Sequence, residues 1–264
     1  MVSCTLRGGV GNQMFQIATA YTLALKNNDE CAFDMDRRKT YGGVVYQGRE
    51  ASLYFNSLYK KVRQLPDGWK PEHKYSELKD FVYSPIPYKK NLLLYGYFQS
   101  EKYFEGHGQE IVKLFVDDEL LSGIRKKYED MLPDSIAVHV RRGDFAKFHP
   151  VHVLLGMDYY TEALNYIQRR RDVNKILVFS DSMSWCRDNF KNDNFVFIEG
   201  TEDWEDMYLM SLCTHNIIAN SSFSWWGAYF NSNKDGIVIA PHAWMNLGDS
   251  YDYKDVYCEN WIII

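Results

Sequence analysis

Ser135-Ile136-Ala137-Val138-His139-Val140-Arg141-Arg142-Gly143-Asp144 is the stretch that decides the fold. Its first six residues form a short, nearly unbroken apolar run, the pattern of a strand buried on both faces in a parallel sheet. The run ends in two permanent cations, a glycine and a carboxylate. In open α/β sheets, ligands bind just outside the carboxyl ends of the strands. A buried strand that delivers two arginines to such an end calls for an anion. Alternate strand residues share a face, so His139 and Arg141 point one way and Arg142 the other. Arg141 is therefore expected to face the ligand. Arg142 is expected to brace the loop by pairing with a carboxylate such as Asp144. A purely structural ion-pair cluster is the competing reading.

Outward from this strand, the second half of the chain alternates. Strands are expected at Ile136–Val140, Lys175–Ser180, Phe195–Ile198, Asn216–Ala219 and Gly236–Ala240. Helices are expected near Asp158–Arg170, Met183–Asn189, Glu202–Cys213 and Phe223–Phe230. Such alternation builds a mostly parallel sheet. The first half repeats the theme more loosely. A strand over Met1–Leu6 leads into Arg7-Gly8-Gly9-Val10-Gly11 and a helix from Asn12 to Lys26. Cys31–Phe33 and Leu92–Tyr97 read as strands, and Glu101–Phe115 and Asp118–Met131 as helices. The region 36–88 reads as irregular with short helices. Pro133-Asp134 marks the expected boundary, giving domains 1–132 and 133–264.

Composition narrows the function. The 264 residues carry a net charge of −5, so the arginine pair is a local feature and a nucleic-acid partner is not expected. The five cysteines are odd in number, scattered, and form no C-x-x-C pair, which argues for a reducing compartment. No apolar run approaches the ~18 residues of a membrane span, and the opening residues lack a signal pattern. A cytoplasmic location is the expectation. Aromatics reach 16%, which suits sugar stacking, although most such rings fill cores.

Four further features carry chemistry. The turn Gly8-Gly9-Val10-Gly11-Asn12-Gln13 between strand and helix can aim backbone N–H groups at an anion, or can be a tight connection alone. Ser180 and Asp181 close a strand at the sheet's ligand end, and Ser182 reads as a helix N-cap. Asn220-Ser221-Ser222-Phe223-Ser224-Trp225-Trp226-Gly227 opens a helix and offers hydroxyls and free N–H groups, or merely a cap and core tryptophans. Asp206 lies one helix earlier. A carboxylate placed in a nucleotide pocket accepts both donors of a guanine edge, while by itself the residue reads as a solvated helix position.

In this order, Gly8-Gly9-Val10-Gly11-Asn12-Gln13-Met14-Phe15-Gln16, His139-Val140-Arg141-Arg142-Gly143-Asp144, Phe179-Ser180-Asp181 and Asn220–Ala228 resemble the motif series of the α-1,2-fucosyltransferases, glycosyltransferase family 11. The likeness extends to Ile239–Trp244. It implies a GT-B-like fold of two Rossmann-like halves, with an acceptor-side N-terminal domain and the nucleotide-sugar in the C-terminal one. It implies inverting transfer of L-fucose from GDP-β-L-fucose to O2 of a galactose-type residue, in polysaccharide biosynthesis, with no cofactor and no catalytic metal. His139 and Asp206 would then contact guanine, and Ser221 and Ser222 phosphate. Arg141, with Arg142 beside it, would stabilise the departing diphosphate. Gly9, Gly11 and Asn12 would face the donor, with Ser180, Asp181 and Asn220 in the donor site. Asp144 leads the candidates for catalytic base, with His149 and His152 behind it; the alternative is that an oxygen of the donor diphosphate assists and no strong base exists. A lipid-linked acceptor and peripheral membrane association are compatible with this reading. The alternatives are another GDP-sugar or fucosyl linkage on the same fold, and a non-catalytic glycan-binding protein.

Overall fold

The computed structural model describes residues 1–35, 50–143, 151–248 and 252–264. The chain forms two compact units, Met1–Asp117 with Asp252–Cys258, and Asp118–Tyr251 with Glu259–Ile264. The division falls before α3 (Asp118–Lys127) rather than at Pro133. The reason is packing: α3 lies against α6 (Asp203–Leu212) of the second unit.

In the first unit, β1 (Val2–Cys4), β2 (His73–Ser76) and β3 (Leu92–Tyr95) make a parallel sheet in the order β1-β3-β2. Val2 pairs with Leu92, and His73 with Leu92 on the other side. Helix α1 (Val10–Lys26) packs on β1 through Met14, Ile17 and Ala18, all fully buried. The expected Cys31–Phe33 strand is only two bridges, Val2 to Cys31 and Phe33 to Gln64. The expected helix over Glu101–Phe115 is a 3-10 turn, Glu101–Phe104, and then α2 (Gly108–Phe115). Gly106 between them has φ +80°, left-handed backbone that breaks a helix.

The second unit holds six parallel strands: β4 (Ile136–Val140), β5 (Ile176–Ser180), β6 (Phe195–Phe197), β7 (His215–Ile217), β8 (Val238–Ala240) and β9 (Ile262–Ile263). Their order, β6-β5-β4-β7-β8-β9, is the doubly wound 3-2-1-4-5-6 arrangement. Helices α4 (Met157–Gln168), α5 (Met183–Asn189), α6 and α7 (Ser222–Tyr229) lie between the strands in sequence. Ile136, Val138 and Val140 enter a core with Tyr160, Ile167, Val178 and Ile217. Trp225 and Trp226 of α7 are wholly buried. In this topology the order of strand addition reverses between β4 and β7, and that switch point opens the crevice where such sheets bind ligands. The arginine pair follows β4 and the serine loop follows β7.

All five cysteines are free. Among the described residues, no helix is long and apolar enough to cross a membrane.

Candidate functional site

The carboxylate that organises the arginines is Asp181. One of its oxygens pairs with Arg141 Nη1 at 2.9 Å, and the other accepts the Arg142 backbone N–H at 2.9 Å. Gly143 completes this corner: a Cβ there would stand 2.8 Å from Asp181 Oδ2. Ser180 Oγ accepts the Ser182 N–H at 2.9 Å, which turns the chain off β5. Ser182 takes the N-cap position of α5, but its side chain makes no cap bond.

Among the described residues, the Arg142 side chain has two contacts, and its expected partner Asp144 lies outside them. Arg142 Nη1 donates to the Leu155 carbonyl at 3.0 Å, and the guanidinium lies 4.2 Å over the Trp185 ring. His149 also lies outside the described residues. Arg141 keeps about a third of its side-chain surface exposed while Asp181 orients its planar fork.

His139 is buried behind it. Burial and the Arg141 charge push its pKa down to about 3, so the imidazole is neutral at any working pH. Its ring lies 5.5 Å from that of Phe223, and its Nδ1 has no partner among the described residues. A neutral imidazole keeps one donor and one acceptor, which suits a heteroaromatic base.

On the other side of the switch point, Ser221 caps α7, its Oγ accepting the Phe223 N–H at 3.4 Å, and Ser222 is the first helical residue. Both side chains stay partly exposed. Asn220 does something the sequence did not foretell. Its amide nitrogen donates to the carbonyls of Val153 at 3.1 Å and Trp244 at 2.8 Å. It therefore ties the serine loop to two other segments and has no donor left for a ligand. Asn220→Ala is expected to cost about 2–4 kcal/mol in urea unfolding, because it strands two largely buried carbonyls.

Asp206 sits in the first turn of α6, half-sheltered, with its Oδ1 accepting Thr201 Oγ1 at 2.5 Å. Burial raises its pKa to about 6. The Thr201 bond opposes the rise, and Asp203 and Glu205 add to it. This is no freely solvated helix residue. Helices α6 and α7 pack together, so Asp206 and the serine loop belong to one block.

In the first unit, the glycine turn is held by the glutamines that follow it. Gly8 has φ +79°, and a Cβ on it would meet Asn12 Nδ2 at 2.5 Å. Gly9 is the N-cap of α1, and Gly11 is buried within the helix. Gln13 Nε2 donates to Gly8 O at 3.1 Å, and Gln16 Oε1 accepts the Arg7 N–H at 2.9 Å. Asn12 Oδ1 accepts from Gln99 Nε2 at 2.7 Å. The reading that no Asp-x-Asp pair follows a strand is corrected by Asp34-Met35-Asp36, directly after Phe33, a spacing that can hold a hard divalent cation. Asp36 lies outside the described residues.

A doubly wound half with an arginine pair and a serine loop at its switch point has the fold of the donor half of a GT-B glycosyltransferase. Solved structures share that fold. The α-1,6-fucosyltransferase NodZ soaked with GDP-fucose matches with TM-score 0.50 at 13% identity, over 87% of this chain and 92% of that one. POFUT1 in complex with GDP-fucose matches with TM-score 0.51 at 12% identity, over 90% and 96%. The sequence model of Glycosyl transferase family 11 matches residues 64–264, and the chain belongs to that family, the α-1,2-fucosyltransferases and their relatives. It is 32% identical to the O-antigen biosynthesis glycosyltransferase WbnK of Escherichia coli, over 92% of this chain and 94% of that protein. It is 29% identical to an alpha-1,2-colitosyltransferase of Escherichia coli, over 100% and 99%. The bovine galactoside 2-alpha-L-fucosyltransferase SEC1 is 28% identical over 84% of this chain and 62% of its own length.

Proposed function

We propose that the protein transfers L-fucose from GDP-β-L-fucose to O2 of a galactose-type residue, with inversion and without a metal. The observation that carries the reading is the Arg141–Asp181 pair at the β4/β7 switch point, opposite the partly exposed serines at the start of α7. In this reading Asp206 and neutral His139 hold guanine, while Ser221, Ser222 and the α7 N-terminus receive phosphate. Arg141 stabilises the charge that gathers on the departing diphosphate. Asp181 is the residue that holds Arg141. Asp144 takes the proton of the acceptor hydroxyl, with His149 as its rival for that role. The acceptor is a saccharide of a surface polysaccharide. A cytoplasmic site at the inner membrane face suits a lipid-linked form of it.

A second donor is favoured by one observation: the chain aligns along its whole length with a colitosyltransferase. Colitose lacks one ring hydroxyl of fucose, so the change would rest on few contacts.

The test is an incubation with GDP-fucose or GDP-colitose and a panel of terminal β-galactosides, with and without EDTA. The expected result is an α-1,2 product by NMR at a rate EDTA leaves unchanged. The EDTA arm bears directly on Asp34 and Asp36. No GDP release with any galactoside would sink the enzyme reading.

A further inference from the structure

Past the carboxyl ends of β1 and β3, the first unit holds a cation layered against two tyrosines. The Arg7 guanidinium carbon stands 4.5 Å from the Tyr95 ring centroid and 4.0 Å from that of Tyr97. Arg7 Nη1 donates to the Tyr95 hydroxyl at 3.0 Å. Its Nε is shielded from water and has no hydrogen-bond partner among the described residues. None of these contacts is needed to hold the backbone. Gln16 grips Arg7 through its main-chain N–H, and the loop after β3 is fixed from beneath. Glu77 accepts the N–H of Tyr97 at 2.6 Å and of Phe98 at 3.0 Å. Gln16 Nε2 donates to Gly96 O at 3.0 Å. Gly96 is required for this fit, since a Cβ there would lie 2.4 Å from Glu77 Cβ. Phe98 is bent into left-handed backbone at φ +52°. The tyrosine side chains are thus presented on a loop whose backbone these bonds anchor. Tyr95 is 37% exposed, and Arg7 and Tyr97 are partly exposed.

We propose that Arg7, Tyr95 and Tyr97 form a subsite that receives a pyranose ring of the glycan acceptor, and that Glu77 is the positioning residue of its loop. This rests on the proposed transferase function and names the acceptor side of it. The chemistry fits a neutral sugar. Its C–H face packs on tyrosine rings, and a vicinal hydroxyl pair accepts the parallel N–H bonds of a guanidinium fork. The aromatic layers hold the guanidinium flat beforehand, which lowers the entropy lost on binding.

Glu77 adds a signature that a passive scaffold would lack. Burial raises its pKa to about 7, against the two backbone N–H bonds; Asp80 adds to the rise and Arg7 opposes it. Tyr75, Tyr103 and Cys4 also feel its charge. Burial outweighs the two N–H bonds, so the folded loop favours the protonated carboxyl. What Glu77 lends the loop is therefore present at low pH and lost as pH rises from about 4.5 through 7, and acceptor KM should rise over that range.

The experiment pairs saturation-transfer NMR on lactose with acceptor kinetics and GDP titration. Tyr97→Ala and Arg7→Lys are expected to raise acceptor KM about three- to tenfold and weaken the lactose signal, with GDP affinity unchanged. Glu77→Gln is expected to flatten the dependence of acceptor KM on pH between about 4.5 and 7. Unchanged acceptor KM and lactose signal in both side-chain variants would overturn the subsite, as would GDP affinity falling in step. Absence of lactose binding to the wild-type protein would overturn it as well. Lactose binding that these variants weaken, in a protein that transfers no sugar, would uphold the subsite and refute the transferase reading.

Discussion

Arg141→Ala is expected to lower kcat by about two to three orders of magnitude while the thermal midpoint stays close to that of the wild type. The two halves of this expectation have separate causes. Arg141 stands where β4 ends, at the reversal of strand order, with its fork oriented by Asp181 at 2.9 Å. A guanidinium cannot give up its proton at working pH, so its charge is present throughout the reaction. A diphosphate leaving group gains charge as the glycosidic bond breaks, and a cation already in place needs no rearrangement to meet it. The Arg141–Asp181 pair is partly open to solvent, and such pairs contribute only about 0–1 kcal/mol to folding. Losing the side chain therefore removes transition-state stabilisation rather than stability. Arg141→Lys keeps a charge without the bidentate fork and should fall between the two. Single-turnover rates at saturating GDP-fucose, beside a melting curve, separate these effects. A variant within threefold of wild-type kcat would remove Arg141 from the role.

What the sequence made legible follows from which interactions are local. The β4 and α5 segments were readable because a continuous apolar run, or an apolar face between polar ends, identifies itself over a few residues. The same reading missed β2. His73-Lys74-Tyr75-Ser76 is an edge strand, mostly exposed, and carries no hydrophobic alternation to betray it. β9 is two residues long and has no period at all. The site divides in the same way. Alternation along the strand sets Arg141 and Arg142 to different sides, and among the described residues the carboxylate that meets both comes from the end of β5, 39 residues after Arg142. Local pattern favours a neighbour such as Asp144. Only the sheet order sets Asp181 beside the arginines. The resemblance puts Asn220 in the donor site; the structure gives its amide nitrogen two carbonyl partners far off in sequence, while its Oδ1 has no partner among the described residues. The Arg7–Tyr97 layer gave no signal, since neither residue falls in a recognisable spacing with the other. Asp206 was separable from an ordinary helix carboxylate through family resemblance alone. The structure adds a physical distinction in its burial.

That burial leads to the second large effect. Asp206→Ala is expected to weaken binding of GDP-fucose by about two to four orders of magnitude, because a carboxylate taking both guanine N–H donors makes two charge-assisted bonds worth about 1.5–3 kcal/mol each. The ionised form is the one that accepts both. Its pKa is raised to about 6 in the unliganded fold, from an ordinary 3.8, chiefly by burial. Two consequences share one pH window with opposite signs. In the free protein, ionising Asp206 is harder than in the unfolded chain, so its contribution to stability is lost as pH rises from about 4 through 6. In the complex, the guanine donors favour the charged form, so affinity rises over the same range and levels off above it. Below pH 6 affinity should fall towards tenfold per pH unit. The measurement requires GDP-fucose rather than GDP, since a terminal phosphate itself titrates near pH 6. His139 does not confuse the reading, being held neutral far above its pKa of about 3. Calorimetric titrations from pH 5 to 8 on wild type and Asp206→Ala decide the matter. The variant should bind weakly with a flat profile. A sloping profile that survives the substitution would place the titrating group elsewhere and take Asp206 out of the guanine pocket.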